Sequence, residues 1–301
     1  MMEDQTKELL ELWERVSNKG RWGDDDQKGT LNYITAEKRL QAATLVKLGR
    51  AVSLSKPLDT RTSVKNPIPA VHYMLFDQVD PVSALDWIGV APHGFCVTHL
   101  DCVAHVNWEG NIYNGRRSKD VITSGGVTFG SIDNLREGIF TRGVFLDVCE
   151  VRGVPYLPVG EFVTIEDLEK AEKLAAVRVE SGDAIFVRVG FDVREQAEGL
   201  TDAAKGVPGI HAEVLEWLHD RQVAVWSGDC VERMPYPSKR FPLPLHMIGL
   251  GSMGLVQLDI PDVEVLKAHC RELGRNEFLL TAAPLYVKGG TGTPINPIAV
   301  F

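Results

Sequence analysis

Cys96-Val97-Thr98-His99-Leu100-Asp101-Cys102-Val103-Ala104-His105 places two histidines and an aspartate within seven residues of a mostly apolar run. Ionisable groups are costly to bury unless they have partners. Read as an extended strand, the segment points His99 and Asp101 to the same face, about 6.5 Å apart along the chain. That geometry suits two ligands closing on one cation. On a straight strand His105 would lie roughly 20 Å further on, so the chain must turn soon after Asp101 if all three are to meet. A strand with one hydrogen-bonded histidine and a capping aspartate is the other reading of the same spacing.

Outward from this stretch the chain alternates strands and helices. Upstream, Leu9, Leu12, Trp13 and Val16 form a helical stripe, and Asp24, Asp25 and Asp26 lie in a turn-rich segment read as a solvated acidic loop. Thr35 caps a helix expected over 36–48 and closed by Gly49. Arg50 to Leu54 reads as a strand, as does Val71 to Phe76, which carries His72. Asp86 to Val90 leads into Pro92-His93-Gly94 and then the central motif.

Downstream, strands are expected at 143–148, 183–190, 223–226, 254–258 and 278–281, with a further short one at Leu285 to Val287. Helices are expected after Thr164, from His211 to Leu218, from Pro242 to Leu250 bearing His246, and after the cap Asp262. Gly289 to Pro294 reads as a loop that exposes its backbone. This alternation, without repeats, implies a single α/β domain over 1–301 with an N-terminal helical extension over about 1–48.

The composition is that of an ordinary globular protein, 44% hydrophobic and 24% charged, with a net charge of −9. Such a balance gives no sign of a nucleic-acid-binding or anionic-membrane surface. The five cysteines are scattered and odd in number, so neither a disulfide framework nor a thiolate zinc site is expected. With no apolar leader at its start and no membrane-length run, the chain reads as cytoplasmic.

The motif residues resemble the signature H-x-G-T-H-x-D-x-P-x-H of the cyclase-like metal-dependent hydrolases, the family of bacterial kynurenine formamidase and isatin hydrolase. Thr98-His99, Asp101 and His105 match it, whereas Phe95 stands at its first histidine and Val103 at its proline. Trp22-Gly23 to Asn32, Trp108 to Gly115, Asp229 with Glu232, and Gly290 to Pro297 are similar to other family segments, so the resemblance covers most of the chain.

The resemblance implies a swivelling β/α/β fold, with a mixed central sheet or barrel-like core flanked by helices. It implies one divalent metal per chain, because Phe95 replaces a ligand and Gln257 stands where other members carry a glutamate. The isatin hydrolase branch is similar in this respect. Manganese ranks ahead of zinc, with His99, Asp101 and Gln257 as ligands and His246 as a weaker one. His105 is then the candidate base, since histidine titrates near neutrality.

Phe95, Trp108 and His211 are candidate substrate contacts, each also readable as core or helix start. Cys102 is an alternative nucleophile, although on a strand it faces away from His99 and Asp101. The implied activity is hydrolysis of an amide C–N bond, in a lactam of the isatin type or an N-formyl aromatic amine, by metal-activated water. A lactone hydrolase and a non-catalytic metal- or ligand-binding member are the alternatives. The expected partner is a small cyclic or aromatic substrate, with assembly as a homodimer or homotetramer.

Overall fold

A computed structural model describes residues 5–75 and 83–301. Four parallel strands form the middle of a nine-stranded mixed sheet: Ile139–Asp147, Ala184–Arg188, Val225–Gly228 and Val256–Asp259. Beyond Ile139–Asp147 lie Glu277–Ala282, Ile298–Val300 and Ala51–Ser53, all antiparallel to their neighbours. Beyond Val256–Asp259 lie His99–Asp101 and then Gly292–Pro294, also antiparallel. The expected α/β fold with a mixed central sheet is therefore the observed one.

Helices cover both faces of the parallel strands, so these strands carry unbroken apolar runs. Along Ala184–Arg188, Ile185 and Val187 join the core under helices Ile165–Ala175 and Val214–Asp220, while Ala184 and Phe186 join the core under helix Val263–Leu273. Thr164, Asp262 and Thr35 each accept a backbone N–H at the start of their helices, and Thr164 completes a capping box with Asp167.

Several expected boundaries move, for identifiable reasons. The helix after Thr35 ends at Ala43, where the N–H groups of Thr44, Leu45 and Val46 donate three residues back instead of four; Leu48 and Arg50 N–H then donate to the Phe301 carbonyl. Leu285 to Val287 is not a strand; Val287 N–H donates to the Leu285 carbonyl in a three-residue turn. Conversely, Gly292–Pro294 in the expected glycine loop pairs with His99–Asp101. The segment 242–250 becomes a π-helix over Leu245–Met253, and the helix after His211 starts only at Val214.

The strand expected to 76 is observed over Val71–Leu75, in a hairpin with Leu85–Gly89; Phe76 and residues 1–4 lie outside the described residues. Asp26 is no solvated loop residue. It accepts from Gly29 N–H, Asn32 and the Tyr113 hydroxyl. Among the described residues, no helix is long and apolar enough to cross a membrane.

One buried ionic knot ties the helix Ala36–Ala43 to the sheet. Asp183, fully buried, accepts two bonds from Arg142 at 3.0 and 2.7 Å and lies 2.6 Å from Lys38 Nζ. Removing one member of such a group strands the others without compensation. Asp183→Ala is expected to lower unfolding free energy by about 3–5 kcal/mol in denaturant titration.

Candidate metal centre

The register at the sheet's end assembles the site. Asp101 pairs with Gln257 on one side and Gly292 on the other, and His99 pairs with Asp259 and Pro294. Residues paired across neighbouring strands share a face, so His99, Asp101, Gln257 and Asp259 form one polar patch. After Asp101 the chain turns, with His105 N–H donating to the Cys102 carbonyl at 3.0 Å. The turn brings His105 Nε2 to 3.6 Å from Asp101 Oδ2. The π-helix delivers His246, whose Nε2 lies 3.9 Å from Asp101 Oδ2 and 3.3 Å from Asp259 Oδ2. π-helical geometry is rare yet frequent at functional sites, and here it extends over nine residues. This π-helix is held by the N-terminal segment, through Asn18 donating to the Met253 carbonyl and Ser252 donating to the Trp13 carbonyl.

A fourth histidine, His93, joins the cluster from the loop before the motif. Its Nδ1 lies 2.8 Å from Asp101 Oδ1, and its ring stacks on His105 with centroids 3.7 Å apart and planes within 4°. Gly292 makes room for it, since a Cβ there would lie 2.6 Å from His93 Cε1 and 3.0 Å from Asp101 Oδ1. The expectation that Phe95 leaves the site one histidine short therefore needs correction: His93, two residues upstream, supplies an imidazole.

The buried polar atoms are poised for a cation. Both oxygens of Asp101, Nδ1 of His93, Oε1 of Gln257 and Oδ1 of Asp259 are buried with no aligned hydrogen bond. Two donor groups stand out, His93/Asp101/His105 and His99/Asp101/Asp259, each with its ligand atoms within 4.8 Å of one another. His99 Nδ1 donates to the Val97 carbonyl at 2.7 Å, which leaves the Nε2 lone pair facing Asp101. His246 Nδ1 lies 3.0 Å from both Glu232 oxygens, so Nε2 is turned inward. Histidine and carboxylate donors of this kind fit a divalent ion of the zinc, manganese or iron type.

Electrostatics agree with that geometry. Burial alone would raise the Asp101 pKa, but His99, His93 and His105 hold it well below the carboxylate range. Burial pulls His105 down to about 4 despite Asp101, so its imidazole is neutral at pH 7. Burial also opposes charge on His246, yet Glu232 and Asp259 outweigh it and raise its pKa.

The other sequence candidates are placed as follows. Gln257 lies in the patch, with its amide donating to the Leu245 carbonyl and Oε1 free. Phe95 stacks on Phe191 beside the cluster. Trp108 is wedged between Trp13 and Phe241, at 4.5 and 4.8 Å. The ring contacts of His211 are with Phe162 and Tyr236, not with the cluster histidines. Cys102 is fully buried, donates to the Thr291 carbonyl at 2.9 Å, and is pushed up to about 12 by burial, which makes it an inert thiol.

Sequence reasoning missed His93, Asp259 and the role of Glu232. Asp259 was within reach, because Gln257-Leu258-Asp259 repeats the alternation of His99-Leu100-Asp101. No local periodicity marks His93.

The family described as Putative cyclase matches residues 52–232. Isatin hydrolase from Roseibium aggregatum is 24% identical over 153 residues, which is 46% of this chain and 53% of that protein. The match thus spans about half the length of that curated relative. A crystal structure described as a novel cyclase is 31% identical, with a TM-score of 0.85 over 96% of this chain and 99% of its own. An isatin hydrolase bound to the product analogue thioisatinate shares the fold at 20% identity, with a TM-score of 0.60 over 89% of this chain and 99% of its own.

Gly292→Ala tests the close approach of His93 to Asp101. The Cβ would also press on the Leu100 carbonyl at 2.9 Å, so the substitution is expected to weaken manganese binding by about tenfold or more in calorimetric titration and to lower stability measurably in denaturant titration.

Proposed function

Because this chain belongs to the cyclase family, we propose that it is a divalent-metal-dependent hydrolase of a small amide, cleaving the C–N bond of a lactam or an N-formyl aromatic amine. The supporting observation is the Asp101 carboxylate, fully buried and ringed by four imidazoles with neither oxygen satisfied by an aligned hydrogen bond. A structural aspartate in a strand would have backbone or side-chain donors of its own.

In this reading Asp101 and His99 hold the ion, with Gln257, Asp259 and His246 as further donors on the same side. Bound there, a divalent ion polarises a carbonyl and acidifies water. His105 takes the proton of the attacking water and returns it to the leaving nitrogen. The stacked ring of His93 fixes the orientation of His105. Glu232 orients His246, and Asp229, accepting from Val189 and Phe191 N–H at 2.7 Å each, braces the adjoining turn.

One observation favours a second reading. The two donor groups share Asp101, so His93 and His105 would serve a second ion rather than proton transfer. Manganese is the preferred ion and zinc the next, a ranking that rests on the oxygen-rich donor set.

Chelation is expected to abolish cleavage of cyclic amides and N-formyl aromatic amines, and added manganese to restore it. Activity untouched by chelation, or cleavage confined to lactones, would overturn the amide reading. His105→Ala is expected to lower kcat by about 100-fold or more with metal content unchanged at one ion per chain. Loss of an ion from a starting count of two would instead make His105 a ligand.

A further inference from the structure

We propose that Thr291 is a positioning residue for the metal centre, a reading that rests on the metal-dependent function above. Its hydroxyl accepts the His93 Nε2–H and so keeps the Nδ1 lone pair turned toward Asp101. Thr291 Oγ1 lies 3.2 Å from His93 Nε2, and His93 Nδ1 lies 2.8 Å from Asp101 Oδ1. A neutral imidazole carries one proton, so the partner of one nitrogen decides what the other offers.

Two observations select this tautomer. In the alternative, Nδ1 would carry the proton and donate it to Asp101, yet no aligned hydrogen bond joins them and both atoms are buried without a partner. A lone pair on Nδ1 leaves two electron-pair donors side by side, which a shared cation reconciles. His99 follows the same pattern with its nitrogens exchanged. Its Nδ1 is held by the Val97 carbonyl at 2.7 Å, and its Nε2 faces Asp101. Imidazoles that bind metals are oriented in this way by the group on their other nitrogen.

His93 needs an outer partner more than its neighbours do. Its side chain is 30% exposed, against 22% for His105, 12% for His246 and 3% for His99. Packing restrains it least, and it stands in a loop rather than on a strand or helix. Its ring also supports the face of His105, with centroids 3.7 Å apart, so one hydroxyl governs two rings.

The hydroxyl itself is held by a backbone anchored from several sides. Cys102 N–H and the Cys102 thiol both donate to the Thr291 carbonyl, at 3.1 and 2.9 Å. Ile132 N–H donates to the Gly290 carbonyl at 2.8 Å, and Gly289 N–H donates to Asp133 at 3.0 Å. Cys102, inert as a nucleophile, thus clamps the residue that orients His93.

Thr291→Val keeps the branched shape and these backbone bonds, whereas Thr291→Ser keeps the hydroxyl alone. The first readout is NMR of zinc-loaded protein with 15N-labelled histidine, the His93 signal being identified by its loss in His93→Gln. An Nε2–H proton protected from solvent exchange is expected in wild type and Thr291→Ser, and its loss to exchange in Thr291→Val. The second is calorimetric titration with manganese. Thr291→Val is expected to bind about tenfold or more weakly, with Thr291→Ser within about threefold of wild type.

A proton on Nδ1 of His93 in wild type would overturn the proposal, and that result needs no variant to fold. Manganese affinity unchanged in Thr291→Val would overturn it too. So would Thr291→Ser as weak as Thr291→Val, which would assign the effect to packing. Turnover separates the proposal from the function beneath it. The expected tautomer and affinities with no amide cleaved would keep the role of Thr291 and sink the hydrolase. Amide cleavage with tautomer and affinity unmoved in Thr291→Val would do the reverse, and a wild type that binds neither ion would overturn both.

Discussion

A carboxylate taken fully out of water must be compensated, and the arrangement of this protein's site follows from that requirement at Asp101. Desolvation of an isolated ion costs several kcal/mol even after relaxation. Four imidazoles, delivered from four different places in the chain, converge on its two oxygens. The strand supplies His99, the turn after it His105, the preceding loop His93 and the π-helix His246. None of the four makes an aligned hydrogen bond to that carboxylate, so the set answers it best when a cation sits among them. The unsatisfied oxygens therefore carry more functional meaning than the histidine count.

The supporting shell follows the same logic. Glu232 turns His246, the Val97 carbonyl turns His99, the His93 ring fixes His105, and Thr291 Oγ1 lies 3.2 Å from His93 Nε2, so all four rings are oriented by an identified contact. Orientation of this kind separates a metal site from a chance cluster of polar groups. The N-terminal helix also takes part at a distance, since Asn18 and Ser252 fasten the π-helix that presents His246. What reads as an appended helix is a brace for the centre.

Much of this was legible in the chain because it rests on local periodicity. The two-residue repeat put His99 and Asp101 on one face, and the need to turn after Asp101 followed from strand geometry. The caps Thr35, Thr164 and Asp262 were visible because capping chemistry is local. His93 was not visible. Its role depends on Gly292, 199 residues away by number, leaving a gap beside Asp101 that only tertiary pairing creates. The glycine stretch around it reads as a loop by composition, yet pairing with the motif strand makes it an edge strand. The 36–48 helix ended early in tightened turns at residues 44–46, after which Leu48 and Arg50 bond to the distant Phe301 carbonyl.

The edge strand Gly292–Pro294 has a consequence for how the protein comes into being. The motif strand is completed by a segment almost at the chain's end, with Cys102 reaching the carbonyls of Gly290 and Thr291, 188 and 189 residues on. Contacts so remote in sequence form late, because loop closure must precede them. During synthesis His93, His99 and His105 exist long before the edge strand that completes their pocket. Any ion held there would thus be selected by a finished scaffold rather than by a nascent chain.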